Sequence, residues 1–109
     1  MTEVAVVILN FNGRNFLRQF LPSVIAYSAS AKIIVADNAS TDDSIAVLES
    51  EFSGSVEVIK IGSNLGFCGG YNYALKLIQS EYYVLLNSDV EVTHGWIDPI
   101  INLFKRDPS

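Results

Sequence analysis

Four apolar runs of strand length, "VAVVIL", "AKIIVAD", "SVEVIKI" and "EYYVLL", recur along the chain, with a helix-forming stretch between each pair. This alternation constrains the fold more than any other feature. Parallel neighbours need a crossover of a dozen or more residues, and a helix is the usual one. A βαβαβαβ order with short links therefore predicts a parallel sheet with helices on both faces, an α/β fold. No internal repeat, linker or low-complexity segment interrupts the pattern.

The elements can be bounded in turn. β-branched content and length predict a first strand from Glu3 to Leu9. Phe16, Leu17, Phe20, Leu21, Val24 and Ile25 then fall at helical spacing, with Pro22 inside the pattern. Proline removes an intrahelical donor, so a kink or a restart at Pro22 is expected. In "ASTDDSIAVLESEF" a Ser or Thr precedes two Asp, which predicts an N-cap with acids in the first turn. "GSNLGFCGGYNYALKLIQS" reads as a Gly-rich loop entering a helix, "YYVLL" as a buried strand, and "HGWIDPIINLFKRDPS" as the start of another helix.

Composition narrows the function. One domain with a modest core fits 109 residues. Half the residues are hydrophobic, yet no apolar run approaches the roughly 20 residues of a membrane span. The excess points to a dense α/β core or to surface covered by something outside this chain. The N-terminus lacks the basic patch and cleavage site of a signal peptide. A net charge of −5 argues against non-specific nucleic-acid binding. Cys68 is the single cysteine, so no intrachain disulfide forms, and a reducing cytoplasm fits.

In an open parallel sheet, ligands bind beyond the carboxyl ends of the strands. Here those ends are polar or flexible: Asn10-Phe11-Asn12-Gly13, Asp37-Asn38, Gly62-Ser63-Asn64 and Asn87-Ser88-Asp89. In a parallel sheet the four clusters share one edge and line one crevice. Each also has a plainer reading. Asp37 can form an Asx-turn into the next helix, and Asn64 with Gly66, Gly69 and Gly70 can simply shape a loop. Asp89 is harder to dismiss, because a carboxylate just past a buried strand is costly without a cation or donors nearby. No Lys or Arg is close in sequence, and oxygen ligands suit Mg or Mn. The lone His94 reads as a surface or capping residue. Trp96 reads as a core anchor or the wall of a sugar site.

Neither common nucleotide motif is present. The turn after the first strand has one glycine, Gly13, and so is not the G-x-G-x-x-G fingerprint; no P-loop occurs either. The Gly-rich stretch follows the third strand instead.

Four segments together, "VVILNFNG", "IIVADNASTDDS", "NLGFCGGYNYAL" and "YVLLNSDVEV", resemble the donor-binding half of family 2 glycosyltransferases, of the GT-A fold. The match covers nearly the whole chain, in order, and the second and third segments resemble the rhamnosyltransferase-like branch. The resemblance implies a Rossmann-like, mainly parallel sheet, truncated after the fourth strand and following helix. Residues 1–109 would then be the nucleotide-sugar-binding part, with the acceptor-binding C-terminal part absent.

By the same resemblance, Leu9, Asn10 and Phe11 would lie against the nucleotide base, and Asp37 would bond the base or ribose. Asn64, Gly66, Phe67, Gly70 and Asn72 would form the loop and helix start below the donor. Asn87-Ser88-Asp89 would be the family's D-x-D motif in an N-x-D variant. Asp89 would hold a divalent cation (Mg or Mn), and Asn87 would contact the ribose or the metal's water shell. Asn87 replaces one carboxylate by an amide, which weakens the expected hold on metal. The implied reaction transfers a sugar from a dTDP- or UDP-sugar to a glycan or lipid-linked acceptor, with inversion. It would serve polysaccharide or cell-surface glycan synthesis at the inner face of the cell membrane. The catalytic base is expected in the C-terminal part, so this chain alone is expected to be inactive. Two alternatives stand beside this reading: a degenerate nucleotide-sugar-binding domain, and a sugar-phosphate nucleotidyltransferase, which "NFNGRNF" fits poorly.

Overall fold

The computed structural model describes residues 4–93 and 95–106. The elements run β1 (Val4–Asn10), α1 (Arg14–Tyr27), β2 (Lys32–Asn38), α2 (Ser44–Glu51), β3 (Glu57–Ile61), α3 (Gly66–Leu77), β4 (Tyr82–Asn87) and α4 (Asp98–Arg106). This is the alternation expected from sequence. Glu3, assigned to the first strand, and His94 lie outside the described residues.

All four strands are parallel, in the order β3-β2-β1-β4. The chain steps outward from β1 through β2 to β3, then crosses back over the sheet to lay β4 on the other side of β1. With right-handed crossovers, that reversal of direction sends α3 to the opposite face from α1 and α2. The two cores show this division. Val4, Val6 and Ile8 of β1 pack with Leu17, Leu21 and Val24 of α1, Val47 and Leu48 of α2, and Ile97 and Ile101 around α4. Ala5 and Val7 pack on the other face with Ile34, Ala36, Tyr71, Ala74 and Ile78. β1 is covered on both faces, which is why its sequence is continuously apolar rather than alternating.

Three expectations change. "YYVLL" is not a buried strand. β4 is the edge of the sheet and alternates between half-buried and exposed, with Tyr83 37% and Leu85 50% exposed. Its apolar run reflects uncovered flank, because α3 lies over β1, β2 and β3. Second, α1 neither ends nor restarts at Pro22; one helix runs through it. Pro22 is on the exposed side, where water can satisfy the carbonyl left without a donor. Third, Asp42 and Asp43 precede α2 rather than occupying its first turn, and Asp43 at the N-cap makes no side-chain cap. Asp42 does the capping from one residue further back, accepting from the Ser44 backbone N–H at 2.9 Å and from its hydroxyl.

Trp96 is an anchor. It packs against the α1–α2 core, and its indole N–H donates to the buried Ser28 hydroxyl at 2.9 Å. Cys68 is a free, exposed thiol. Among the described residues, no helix is long and apolar enough to cross a membrane.

Candidate active site

The strand order reverses between β1 and β4, and a cleft of about 500 Å³ opens at the carboxyl end of the sheet there. β1 and its loop contribute Leu9, Phe11, Asn12 and Gly13; α1 adds Phe16. Asn38 comes from β2, and Asn64, Gly66 and Phe67 from the start of α3. Asn87, Ser88 and Asp89 close it from β4. Clusters from all four strand ends therefore meet, as the parallel arrangement requires.

Beneath the cleft is a buried polar floor. Asp37 is fully buried. One of its oxygens accepts from the Asn10 amide at 2.9 Å and the Ser40 hydroxyl at 2.6 Å; the other accepts from the Ser40 N–H at 3.0 Å. Asp37 thus bonds its own loop three residues on rather than starting α2, which begins at Ser44, and it is not among the cleft-lining residues. Asn10 is buried beside it. Its amide orientation is fixed by the carboxylate, since the reverse would bring two acceptors together. That leaves Asn10 Oδ1 as a buried side-chain atom without a partner among the described residues, facing Gly13. A Cβ on Gly13 would come within 2.5 Å of that oxygen, so only glycine fits.

Asn38 fastens the α3 loop. It donates to Asn64 Oδ1 and to the Gly66 carbonyl, both at 3.1 Å, and accepts from the Leu65 N–H at 3.0 Å. Asn12 fastens the β2–α2 loop. Its Oδ1 accepts from the Thr41 N–H at 2.7 Å and the Asp42 N–H at 3.1 Å, and its own N–H donates to Ser40 Oγ. Asn12 holds φ +52°, a left-handed conformation that asparagine tolerates better than most residues. Asp42 and Asp43 complete this corner. Burial raises the Asp42 pKa, but hydrogen bonds from Ser44 and Arg14 outweigh it and the net shift is downward. The Arg14 hydrogen bond and charge lower that of Asp43.

The β4 end differs. Asn87 and Asp89 are exposed, and among the described residues none of the three side chains from Asn87 to Asp89 has a hydrogen-bond partner. The desolvation argument for Asp89 therefore fails: the edge position of β4 leaves the carboxylate in solvent. Asp89 is the only carboxylate, and no Lys or Arg occurs, among the cleft-lining residues. No group of three or more His, Cys, Asp or Glu that could hold a metal is found among the described residues.

Of the residues singled out from sequence, Leu9, Phe11, Asn64, Gly66, Phe67, Asn87 and Asp89 line the cleft. Asn10 and Asp37 lie under it. Gly70 is buried against Leu9 and Asn38, and Asn72 is exposed on α3 and does not line the cleft. Phe16 was missed, because its helical spacing read as core; it is 47% exposed. Its place at the helix start, directly after a strand-end loop, was the available signal. Asn12, Gly13, Asn38 and Ser88 were visible as members of the strand-end clusters, but no individual role for them was legible.

The fold and cleft define a Rossmann-like GT-A domain with its site at the topological switch point. The chain belongs to glycosyltransferase family 2: the model described as glycosyl transferase family 2 matches residues 5–109. A curated relative, succinoglycan biosynthesis protein ExoU of Rhizobium meliloti (strain 1021), is 27% identical over 90 residues, covering 81% of this chain and 26% of that protein. Among solved structures, S. aureus TarS 1-349 in complex with UDP-GlcNAc superposes with a TM-score of 0.84 at 19% identity, over 99% of this chain and 32% of that one. Mannosyltransferase PcManGT from Pyrobaculum calidifontis, in complex with GDP-Man and Mn2+, gives 0.75 at 19%, over 94% and 31%. The chain thus spans about a quarter to a third of these proteins.

Proposed function

We propose that this chain is the donor-binding part of an inverting glycosyltransferase that takes its sugar from a dTDP- or UDP-sugar. The observation that carries the reading is the division at the switch point. β1, β2 and the α3 loop are knitted into a hydrogen-bonded wall, while across from it Asn87 and Asp89 stand exposed and Ser88 half-buried, their side chains without partners among the described residues. On this reading the base rests against Leu9 and Phe11, with Phe16 beside them. Asn64, Gly66 and Phe67 underlie the sugar and diphosphate, and Asn87 meets the ribose. Asn10 and Asp37 act one layer below, holding the β1 and β2 loops in place. The second and third family segments support the rhamnosyltransferase-like branch and a dTDP-sugar donor, with thymine as its base.

The cleft offers only oxygen donors near Asp89, from its carboxylate, the Asn87 amide and the Ser88 hydroxyl, a set that fits Mg or Mn. With one carboxylate, most of such a cation's shell would come from the diphosphate and water. When bound there, the ion would neutralise charge growing on the leaving diphosphate. The lining offers no general base besides Asp89 itself. Activation of the acceptor hydroxyl is therefore assigned to the C-terminal part, which would also dock on the open flank of β4 at Tyr83 and Leu85. The acceptor is a growing polysaccharide or lipid-linked glycan at the cytoplasmic face of the membrane.

Calorimetric titration of the chain with UDP and dTDP, with and without manganese, tests this. Manganese-dependent binding, weakened at least tenfold in Asp89→Ala, is expected, and the tighter nucleotide identifies the base. Absence of binding by the folded chain would overturn the donor-site reading for residues 1–109. Metal-independent binding, insensitive to Asp89→Ala, would favour the degenerate binding domain, to which Asn87 in place of an acid already points.

A further inference from the structure

Tyr71 belongs to none of the roles above, yet two contacts bring it to the switch point. It is 4% exposed on the β-sheet side of α3. Gly70 before it lets the helix close on the strand ends, since a Cβ there would meet Leu9 Cδ1 at 2.7 Å. The Tyr71 ring meets the ring of cleft-lining Phe67 edge-on, with centroids 5.0 Å apart. Its hydroxyl donates to the Leu86 carbonyl at 3.1 Å, one residue before Asn87. The register sets Leu86 opposite Ile8 and Asn87 opposite Leu9, so the carbonyl that receives this bond lies at the last pairs of the β1–β4 ladder. The hydroxyl therefore occupies the seam between β1 and β4. Burial raises the phenol's pKa above its ordinary value, so it stays a neutral donor at physiological pH.

We propose that Tyr71 is a positioning residue of the cleft: its hydroxyl ties the end of β4 to α3, fixing where Asn87, Ser88 and Asp89 stand relative to Phe67. The physical need is plain. Within the described sheet β4 has a partner on one side only, and its ladder to β1 ends at the Leu9–Asn87 pair. Strand ends held on one side open readily, whereas a site works only when its groups are held in place. The Tyr71 hydroxyl, bonded to the Leu86 carbonyl from a helix packed on β1 and β2, supplies the missing restraint. The link to ligand rests on the donor-site reading; the restraint on β4 does not.

Tyr71→Phe removes the hydroxyl and keeps the ring. In the 109-residue chain, manganese-dependent UDP binding is expected to weaken about threefold to tenfold, the worth of one hydrogen bond. Binding of uridine, which keeps the ribose that Asn87 would meet but lacks the diphosphate facing Asp89, should weaken less than that of UDP. Backbone amide NMR shifts should move at Leu9 and from Leu86 to Asp89, and stay fixed at Asn38 and Ser40. Unchanged UDP affinity, or equal loss for uridine and UDP with a lower Tm, overturns the proposal. If the unsubstituted chain binds neither ligand, the donor-site reading falls on its own. The amide shifts then decide the role of Tyr71: confined to the seam they support it, and absent or spread through the core they overturn it.

Discussion

The ends of β2 and β4 look alike in sequence and are opposite in physics. Each closes an apolar strand with a short polar cluster, Asp37-Asn38 in one and Asn87-Ser88-Asp89 in the other. At β2 every side-chain oxygen and nitrogen of the pair finds a partner inside the protein, and both residues are at most 2% exposed. At β4 the cluster faces the cleft with no partner among the described residues. A polar strand end therefore has two meanings. Where its hydrogen-bonding capacity is used internally, it builds the scaffold. Where that capacity is left open in a cleft, it is available to a ligand.

The largest effect should come from exchanging equivalent losses between the two ends. Asp37→Ala removes the shorter of two acceptors of the buried Asn10 amide and the acceptors of the Ser40 N–H and hydroxyl, and should cost about 3 kcal/mol in urea unfolding. Asp89→Ala should change stability by less than about 0.5 kcal/mol, because no described residue bonds this exposed carboxylate. Comparable losses for the two would erase the distinction.

Asn12 sharpens the comparison within the scaffold half. Asn12→Ala deletes the bonds to Thr41 and Asp42 and leaves alanine at φ +52°. A loss of about 2 kcal/mol is expected. Asn12→Gly should recover the conformational part alone, about 0.5 to 1 kcal/mol of it. Equal losses in the two variants would show that the backbone angle is unstrained.

The smallest effect is one of pH. Asp42 and Asp43 are held below the ordinary carboxylate value of 3.8 in the folded chain. A depressed folded pKa contributes stability above the unfolded pKa, and this is lost as pH falls through the folded one. Acid unfolding should therefore steepen below about pH 4, and Asp42→Asn should flatten that limb. The change is small because both groups are largely solvated. An unaltered acid limb in Asp42→Asn would remove Asp42 from this role.

The order of elements, the parallel sheet and the shared edge of polar strand ends were all legible in the sequence. Hydrophobic periodicity and crossover length are local properties, read within a dozen residues. What local pattern misassigned was burial: it took Phe16 for core and "YYVLL" for an interior strand. Hydrophobicity records that a side chain is apolar, not whether a neighbouring element arrives to cover it. Only the tertiary structure decided that β4 lies at the edge beside β1, which both exposes its flank and opens the cleft at the switch point. Only the tertiary structure, too, decided which polar ends were already spoken for. The bonds that silence Asp37 and Asn38 join residues 26 to 28 positions apart, apart from the local Ser40 turn. A hydrogen bond needs its partner within about 3 Å, and no sequence pattern states that distance until the strands are paired.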